Sequence, residues 1–270
     1  MEFAGEVVLV TGSGKGIGKA IATQFAQEGA FVCINDVVRE DAERTAEELE
    51  KLGTKTLAVQ ADISKEEGVR NMFDLLFERF GTIDVLVNNA GVGDSLMVED
   101  TTYEMWKKVI DINLNAAFLC CKAVIPVMQK KRHGKIVNIA SVAAKKMSYH
   151  GGAAYTASKA GLLGLTRHLA YELAPYGINV NAVCPGATLT PLLKMSTSPA
   201  QLEAELVRFP MGRFSEAEDI ANAVVFLCST KSRMMVGQAI DVDAGELLAW
   251  TDFNSYQKYR KDRLRKFLGQ

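Results

Sequence analysis

Taken as a whole, the chain lacks any feature that would draw it to a charged surface or into a bilayer. Across 270 residues, 31 Lys and Arg meet 32 Asp and Glu, a formal net charge of -1. No long-range field therefore attracts the molecule to nucleic acid or membrane. No uninterrupted apolar stretch reads as long enough to span a bilayer. No basic, small-residue leader precedes the run Val7-Val8-Leu9-Val10, so the expectation is a cytoplasmic protein without stable membrane insertion and without a nucleic-acid partner. Cysteine is scarce and odd in number. Cys33, Cys120, Cys121, Cys184 and Cys228 fit no zinc spacing, and most lie in apolar runs. They read as buried free thiols of a reducing compartment, with no metal site. Repeats, low-complexity segments and Pro/Gly/Ser linkers are missing too, which argues for one domain.

What is present is a regular alternation. With 48% apolar residues the chain can bury one large core or two small ones. Strand-like runs fall at Val7–Thr11, Phe31–Asn35, Lys55–Gln60, Ile83–Asn88, Gly134–Ile139, Ile178–Cys184 and Ala239–Val242. Helix-like patterns fall between them at Gly16–Glu28, Glu40–Leu52, Glu66–Phe80, Tyr103–Lys131, Ala153–Ala174 and Glu216–Ser229. Strands that are apolar throughout suit a parallel sheet covered on both faces. The predicted fold is α/β: a single-domain, Rossmann-type, doubly wound parallel sheet of about seven strands flanked by helices. Residues 1–250 form the expected dinucleotide-binding catalytic unit and residues 251–270 a basic amphipathic extension. Pro185–Gly212 and the tail after Gly245 do not fit the alternation.

The string Thr11-Gly12-Ser13-Gly14-Lys15-Gly16-Ile17-Gly18 closes the first strand and opens the first helix. Glycine permits the positive φ of a tight turn, and its missing side chain lets a pyrophosphate approach the backbone. The helix starting near Gly16 offers free N–H groups and a positive dipole end. Such a string could be a ligand-free turn, but its strand-then-helix setting is the one a dinucleotide needs. Asp36 ends the next strand. Its carboxylate can accept from both adenosine ribose hydroxyls and would repel a 2′-phosphate, which favours NAD over NADP. Lys15 argues mildly the other way, although a solvated loop lysine is the plainer reading.

Tyr155 and Lys159 begin another helical pattern and, at i and i+4, share its face. A phenol is a poor base at neutral pH, and a nearby ammonium lowers its pKa toward the working range. The pair alone is weak evidence. Ser141 follows the strand ending at Ile139, at the edge where open α/β sheets bind ligands, and Asn88-Asn89-Ala90-Gly91 ends another strand with small residues that admit a flat ring.

With these residues in view, the chain resembles the short-chain dehydrogenase/reductase family from about Val7 to Gly245. The TGxxxGxG string is Thr11–Gly18, the acidic-apolar adenine pair Asp62-Ile63, the NNAG string Asn88–Gly91, and the PG motif Pro185-Gly186. The catalytic tetrad pattern falls on Asn113, Ser141, Tyr155 and Lys159. The resemblance implies that Tyr155 exchanges a proton with the substrate oxygen, Lys159 lowers its pKa and binds the nicotinamide ribose, Ser141 orients the carbonyl, and Asn113 holds a water. It implies cofactor contacts at Gly12, Ser13, Lys15, Gly16, Ile17, Gly18, Asp36, Asp62, Ile63, Asn89, Ala90, Gly91, Pro185, Gly186, Thr188 and Thr190, with Thr190 at the carboxamide. It also implies a homotetramer. Thr188 replaces the family's frequent Val or Ile, and Asp243-Ala244-Gly245 replaces Asp-Gly-Gly.

Substrate choice is expected from Val142–Gly152, Gly93–Met97 and Ala187–Met211, the last as a lid. Ala143, Tyr149 and His150 are the candidate substrate contacts beside Ser141. Lys145 and Lys146 could hold an anionic substrate but read more simply as solvated. In the tail Asp252–Gln270, Phe253, Tyr256, Leu264, Phe267 and Leu268 fall near one stripe among Lys258, Arg260, Lys261, Arg263, Arg265 and Lys266. A neighbouring subunit is the expected partner of that stripe, and a membrane or acidic protein the alternative. The activity expected is hydride transfer between NAD(H) and a small alcohol or carbonyl compound. The alternatives are an NADP-dependent 3-oxoacyl-type reductase and a non-catalytic nucleotide-binding regulator. Ser141 lacks a Gly-x-Ser-x-Gly elbow, which disfavours a hydrolase.

Overall fold

Runs of Val, Leu and Ile with both faces buried can only sit inside a covered sheet, and that is where they lie. In the computed structural model, which describes residues 1–190, 193, 197–249 and 251–268, seven parallel strands form one sheet in the order β3-β2-β1-β4-β5-β6-β7. They are β1 (Val7–Thr11), β2 (Phe31–Asp36), β3 (Thr56–Gln60), β4 (Val85–Asn88), β5 (Gly134–Ile139), β6 (Ile178–Pro185) and β7 (Ala239–Val242). The doubly wound, seven-stranded fold read from the sequence is therefore the observed one.

Alternation along β1 divides the core. Val8 and Val10 join the layer beneath α1 (Gly16–Gln27), α2 (Arg39–Glu50) and a late helix, while Val7 and Leu9 join the layer beneath α3 (Glu66–Phe80), α5 (Ala116–Lys131) and α6 (Ala153–Leu173). Strand order reverses between β1 and β4, so the carboxyl ends of these strands open a crevice there. All five cysteines are buried free thiols, as expected, and burial pushes Cys184 up to about 11 and Cys121 up to about 12.

Several local readings need correction. The strand expected from Ile83 begins at Val85, because the Asp84 carboxylate accepts the Val7 N–H at 2.9 Å and takes the place of a ladder bond. The helix expected over Tyr103–Lys131 is α4 (Tyr103–Ile110), a π turn over Asp111–Asn115, and then α5. By length and composition this joined run is long and apolar enough to cross a membrane, contrary to the expectation that no stretch is. It packs against α3, α6, β4 and β5.

Within Pro185–Gly212, the capping box of Ser198 and Gln201 starts the short α7 (Pro199–Glu205), which runs into a 3₁₀ turn, Leu206–Arg208. Positions 191, 192 and 194–196 of the expected lid, and 269–270 of the expected tail, lie outside the described residues. The late helix α8 (Ala217–Cys228) lies on α1. The tail forms α9 (Phe253–Phe267), capped by Asp252, with Phe253, Tyr256, Leu264 and Phe267 exposed.

Two stability outcomes follow. Leu86 in β4 is fully buried, so Leu86→Ala is expected to cost about 2–5 kcal/mol in chemical denaturation. Ala244 has φ 53, a left-handed conformation that costs an L-residue about 1–2 kcal/mol. Ala244→Gly is therefore expected to stabilise the protein, by about 0.5–1 kcal/mol once glycine's greater unfolded entropy is subtracted; a lowered denaturation midpoint contradicts this.

Candidate active site

The crevice is laced shut at its base. Thr11 Oγ1 accepts the N–H groups of Asn89 (3.0 Å) and Ala90 (3.1 Å), and Asn89 Nδ2 donates to the carbonyls of Thr11 and Gly12, both at 2.9 Å. Close approach explains the glycines. A Cβ on Gly12 would stand 2.8 Å from Ala90 Cα, and one on Gly18 would stand 2.3 Å from the Gly12 carbonyl oxygen and 2.4 Å from Asn89 Nδ2. Ser13 turns inward, its hydroxyl donating to the Val10 carbonyl at 2.7 Å. Ile17 packs on the core at the start of α1. The N-cap residue Lys15 supplies no side-chain cap to α1, which leaves its first N–H groups for an anion. These residues fit a pyrophosphate.

At the adenosine end Asp36 is buried, with Oδ2 accepting Gly14 N–H at 3.0 Å and Oδ1 accepting Val38 N–H at 3.1 Å. Lys15 is an exposed loop lysine, as the plainer sequence reading had it, and it has an acidic partner. Its Nζ pairs with Asp41 at 2.8 Å, and Arg44 binds the same carboxylate. The hydrogen bond between them raises the pKa of Lys15 and lowers that of Asp41. Asp62 folds back on Ser64, and Ile63 is buried behind it. At the other end β6 closes at Pro185, and the Thr188 hydroxyl donates to the Gly186 carbonyl at 3.0 Å. The Thr190 methyl lies 3.8 Å from the position a Cβ on Gly16 would take, which puts it across the crevice from the phosphate turn.

Tyr155 and Lys159 lie in the first turns of α6 and face the carboxyl edge of β5. Lys159 is buried and donates to the Ile139 carbonyl at 2.8 Å. Burial lowers its pKa to about 8. Its Nζ stands 5.6 Å from the centre of the Tyr155 ring. Gly91 keeps the space beside it open, since a Cβ there would meet Lys159 Nζ at 3.3 Å and Asn113 Oδ1 at 3.4 Å. The expected lowering of the Tyr155 pKa by Lys159 is not what governs it. Burial raises the phenol, and the hydrogen bond with Ser141 offsets only part of that rise. The ammonium is turned to the Ile139 carbonyl instead. Ser141 Oγ also accepts the N–H of buried Ala143 at 3.1 Å.

Asn113 sits in the π turn. Its Oδ1 accepts Val92 N–H at 2.8 Å, and its Nδ2 donates to the Val92 carbonyl at 2.9 Å and to Ser158 Oγ at 3.0 Å. Ser158 in turn donates to the Tyr155 carbonyl at 2.8 Å. Sequence reading missed Ser158. Its signal was available: a hydroxyl at i+3 from Tyr155, beside Lys159. It also missed Asn138, which links Asn88 (2.8 Å) to Thr166 (2.9 Å) beneath the site. It missed Asp94, whose carbonyl accepts the N–H of the α6 cap residue Gly152.

Two of the candidate substrate residues face α7 and its 3₁₀ turn. Tyr149 is exposed, with Arg208 4.7 Å over its ring, and His150 Nε2 lies 2.9 Å from Glu205 Oε2. Lys145 and Lys146 keep part of their surface open to solvent and also pair with Asp241 (2.6 Å) and Glu246 (2.7 Å). Among the described residues no cluster of three or more His, Cys, Asp or Glu could hold a metal.

Comparison with known proteins matches this arrangement. A family model described as enoyl-(acyl carrier protein) reductase covers residues 12–246. A 3-oxoacyl-[acyl-carrier-protein] reductase, FabG, of Staphylococcus epidermidis is 40% identical over 238 residues, 88% of this chain and 97% of that protein. Two solved structures superpose closely at 34% identity. A 3-oxoacyl-[acyl-carrier protein] reductase with bound NAD from Brucella melitensis has a TM-score of 0.85 and covers 92% of this chain and 93% of its own. Levodione reductase has a TM-score of 0.87 and covers 92% of this chain and 100% of its own.

The lowered Lys159 pKa has a measurable consequence. The unfolded lysine titrates at its ordinary value of 10.5 and the folded one at about 8, so burial of the charged form opposes folding fully below pH 8. The opposition fades as pH rises from 8 to 10.5. Lys159→Met is expected to be more stable than wild type near pH 7, by up to about 3 kcal/mol. That gap is expected to close toward pH 10.5 in denaturation titrations, and a gap independent of pH contradicts the assignment.

Proposed function

The chain belongs to the short-chain dehydrogenase/reductase family, and on that premise we propose that it transfers a hydride between NAD(H) and a secondary alcohol or ketone, with Tyr155 as general acid and base. The observation that carries this reading is the convergence of Tyr155, Lys159 and Ser141 at the carboxyl edge of β5, beside the glycine turn. A bound nicotinamide dinucleotide would supply the hydride acceptor or donor. Gly12, Gly16 and Gly18 with the start of α1 would hold its pyrophosphate, Asp36 its adenosine ribose, and Gly186, Thr188 and Thr190 its nicotinamide end.

The protein's own part is proton handling and positioning. Ser141 orients the substrate oxygen against the Tyr155 hydroxyl. A phenol keeps its proton at neutral pH, burial of Tyr155 strengthens that bias, and Tyr155 is thus set to give its proton to a carbonyl oxygen. In the oxidative direction it must first lose that proton. Lys159, held by the Ile139 carbonyl, stabilises negative charge forming on the phenol or the substrate oxygen. Asn113 ties Val92 to Ser158 and so fixes the loop after Gly91 against α6.

NAD is favoured because a buried carboxylate at Asp36 would repel a 2′-phosphate, and Lys15 pairs with Asp41. The solved reductase with bound NAD supports the same choice. A second reading, an NADP-dependent 3-oxoacyl-type reductase, is favoured by the description of the family model and the name of the Staphylococcus relative.

A panel of secondary alcohols and ketones, followed through NADH absorbance, tests both readings. NAD is expected to exceed NADP by about tenfold or more in kcat/KM; clear NADP preference overturns the role given to Asp36. Tyr155→Phe is expected to lower kcat by about 100-fold or more with cofactor affinity kept. Reduction by the wild type is expected to slow, and oxidation to quicken, as pH rises into the alkaline range. Unchanged turnover in Tyr155→Phe rejects the mechanism.

A further inference from the structure

A chain of charges joins the segments around the mouth of the site. Glu246 follows the Asp243-Ala244-Gly245 turn, which the Asp243 carboxylate staples by accepting the N–H groups of Gly245 (2.9 Å) and Leu247 (2.8 Å). The Glu246 side chain is only 7% exposed. Its Oε1 binds Lys146 of the loop after β5 at 2.7 Å and Arg208 of the 3₁₀ turn after α7 at 3.1 Å. Its Oε2 is buried against the Gly186 turn, 3.0 Å from the position of an added Cβ, and has no hydrogen-bond partner among the described residues. Arg208 also covers the Tyr149 ring and lies 3.8 Å from Glu205, which reaches His150. Lys146 and Arg208 therefore pair with Glu246 and Glu205, while the Asp243 carboxylate is held by backbone N–H groups. Among the described residues Lys146 has no other carboxylate partner.

We propose that Glu246 is a specificity-determining residue: by holding Lys146 and Arg208 as ion pairs beside the Gly186 turn, it neutralises both cations at the mouth and selects uncharged alcohols and ketones over those bearing a carboxylate. This deepens the reaction proposed above and rests on it. A carboxylate-bearing substrate gains nothing from cations already neutralised, and it meets a buried acidic oxygen of like charge. Loss of the Glu246 charge frees Lys146 first, since Arg208 retains Glu205. Negative selection of this kind works through the repelling group as much as through any attraction.

A matched pair of secondary alcohols on one carbon skeleton tests the assignment: 1,3-butanediol against 3-hydroxybutyrate. Wild type is expected to favour the diol in kcat/KM, and Glu246→Gln to move the ratio toward the acid by about tenfold or more, the worth of one freed charge-assisted hydrogen bond. The gain in Glu246→Gln is expected to fall with added salt and to vanish when Lys146→Met is added. A second readout does not depend on turnover. Butyrate titrated calorimetrically into the protein with NADH is expected to bind Glu246→Gln about tenfold tighter than wild type. Wild-type preference for the acid, or an unchanged ratio and unchanged butyrate affinity in Glu246→Gln, overturns the proposal. If wild type turns over neither alcohol, the reaction assignment fails for this class while butyrate affinity still decides the role of Glu246. Unfolding midpoints of the variants separate loss of fold from loss of selection.

Discussion

Lys159 carries its ammonium into the interior at the edge of β5, where its hydrogen-bond partner is the Ile139 carbonyl and no carboxylate among the described residues lies within ion-pair reach. A buried cation without a counter-ion is costly, and the surroundings are arranged on its terms. Gly91 leaves its flank open. Asn113 and Ser158 fill the polar space that a shifted helix would vacate. The positive charge is left uncompensated where an oxyanion can lie. Burial of Tyr155 beside it keeps the proton on the phenol. The pair is therefore biased in opposite directions by one cause, desolvation, which disfavours both charged forms.

That arrangement depends on the sheet beneath it. The site draws on residues after β1, β4, β5 and β6, and these strands are fixed to each other by parallel ladders and, below the reacting edge, by Asn88, Asn138 and Thr166. Thr11 and Asn89 extend the cross-linking into the glycine turn. Positional accuracy thus comes from backbone register, and the segments outside it — the loop after β5, α7 and the turn at Ala244 — are left to set what the site admits. Glu246 belongs to this outer set.

Much of this was legible in the sequence. Continuous apolar strands, the glycine string and the i, i+4 spacing of Tyr155 and Lys159 are local patterns, and local patterns survive folding. What was hidden depended on partners distant in the chain. The pairing of Lys15 and Lys146 was hidden because nothing near them in sequence reveals Asp41 or Glu246. The direction of the Tyr155 pKa was hidden because it is set by burial, which sequence does not measure, against the hydrogen bond of Ser141. Asp84 altered a strand boundary by reaching across to Val7. The substitution at Ala244 was visible as a departure, but its left-handed backbone was not.

The π turn at Asp111–Asn115 has a geometric consequence of its own. An α-helix advances about 100° per residue, and a π turn holds one residue more than its α counterpart. The halves of the Tyr103–Lys131 run are therefore offset in phase. Below the turn, Cys120, Cys121, Val124 and Met128 meet the sheet; within it, Asn113 meets Val92 and Ser158. A regular helix through the same residues would rotate one of these faces out of place. The irregularity is what allows one helix to serve as both wall of the core and floor of the reaction chamber, and excising a single residue there would set the two duties against each other.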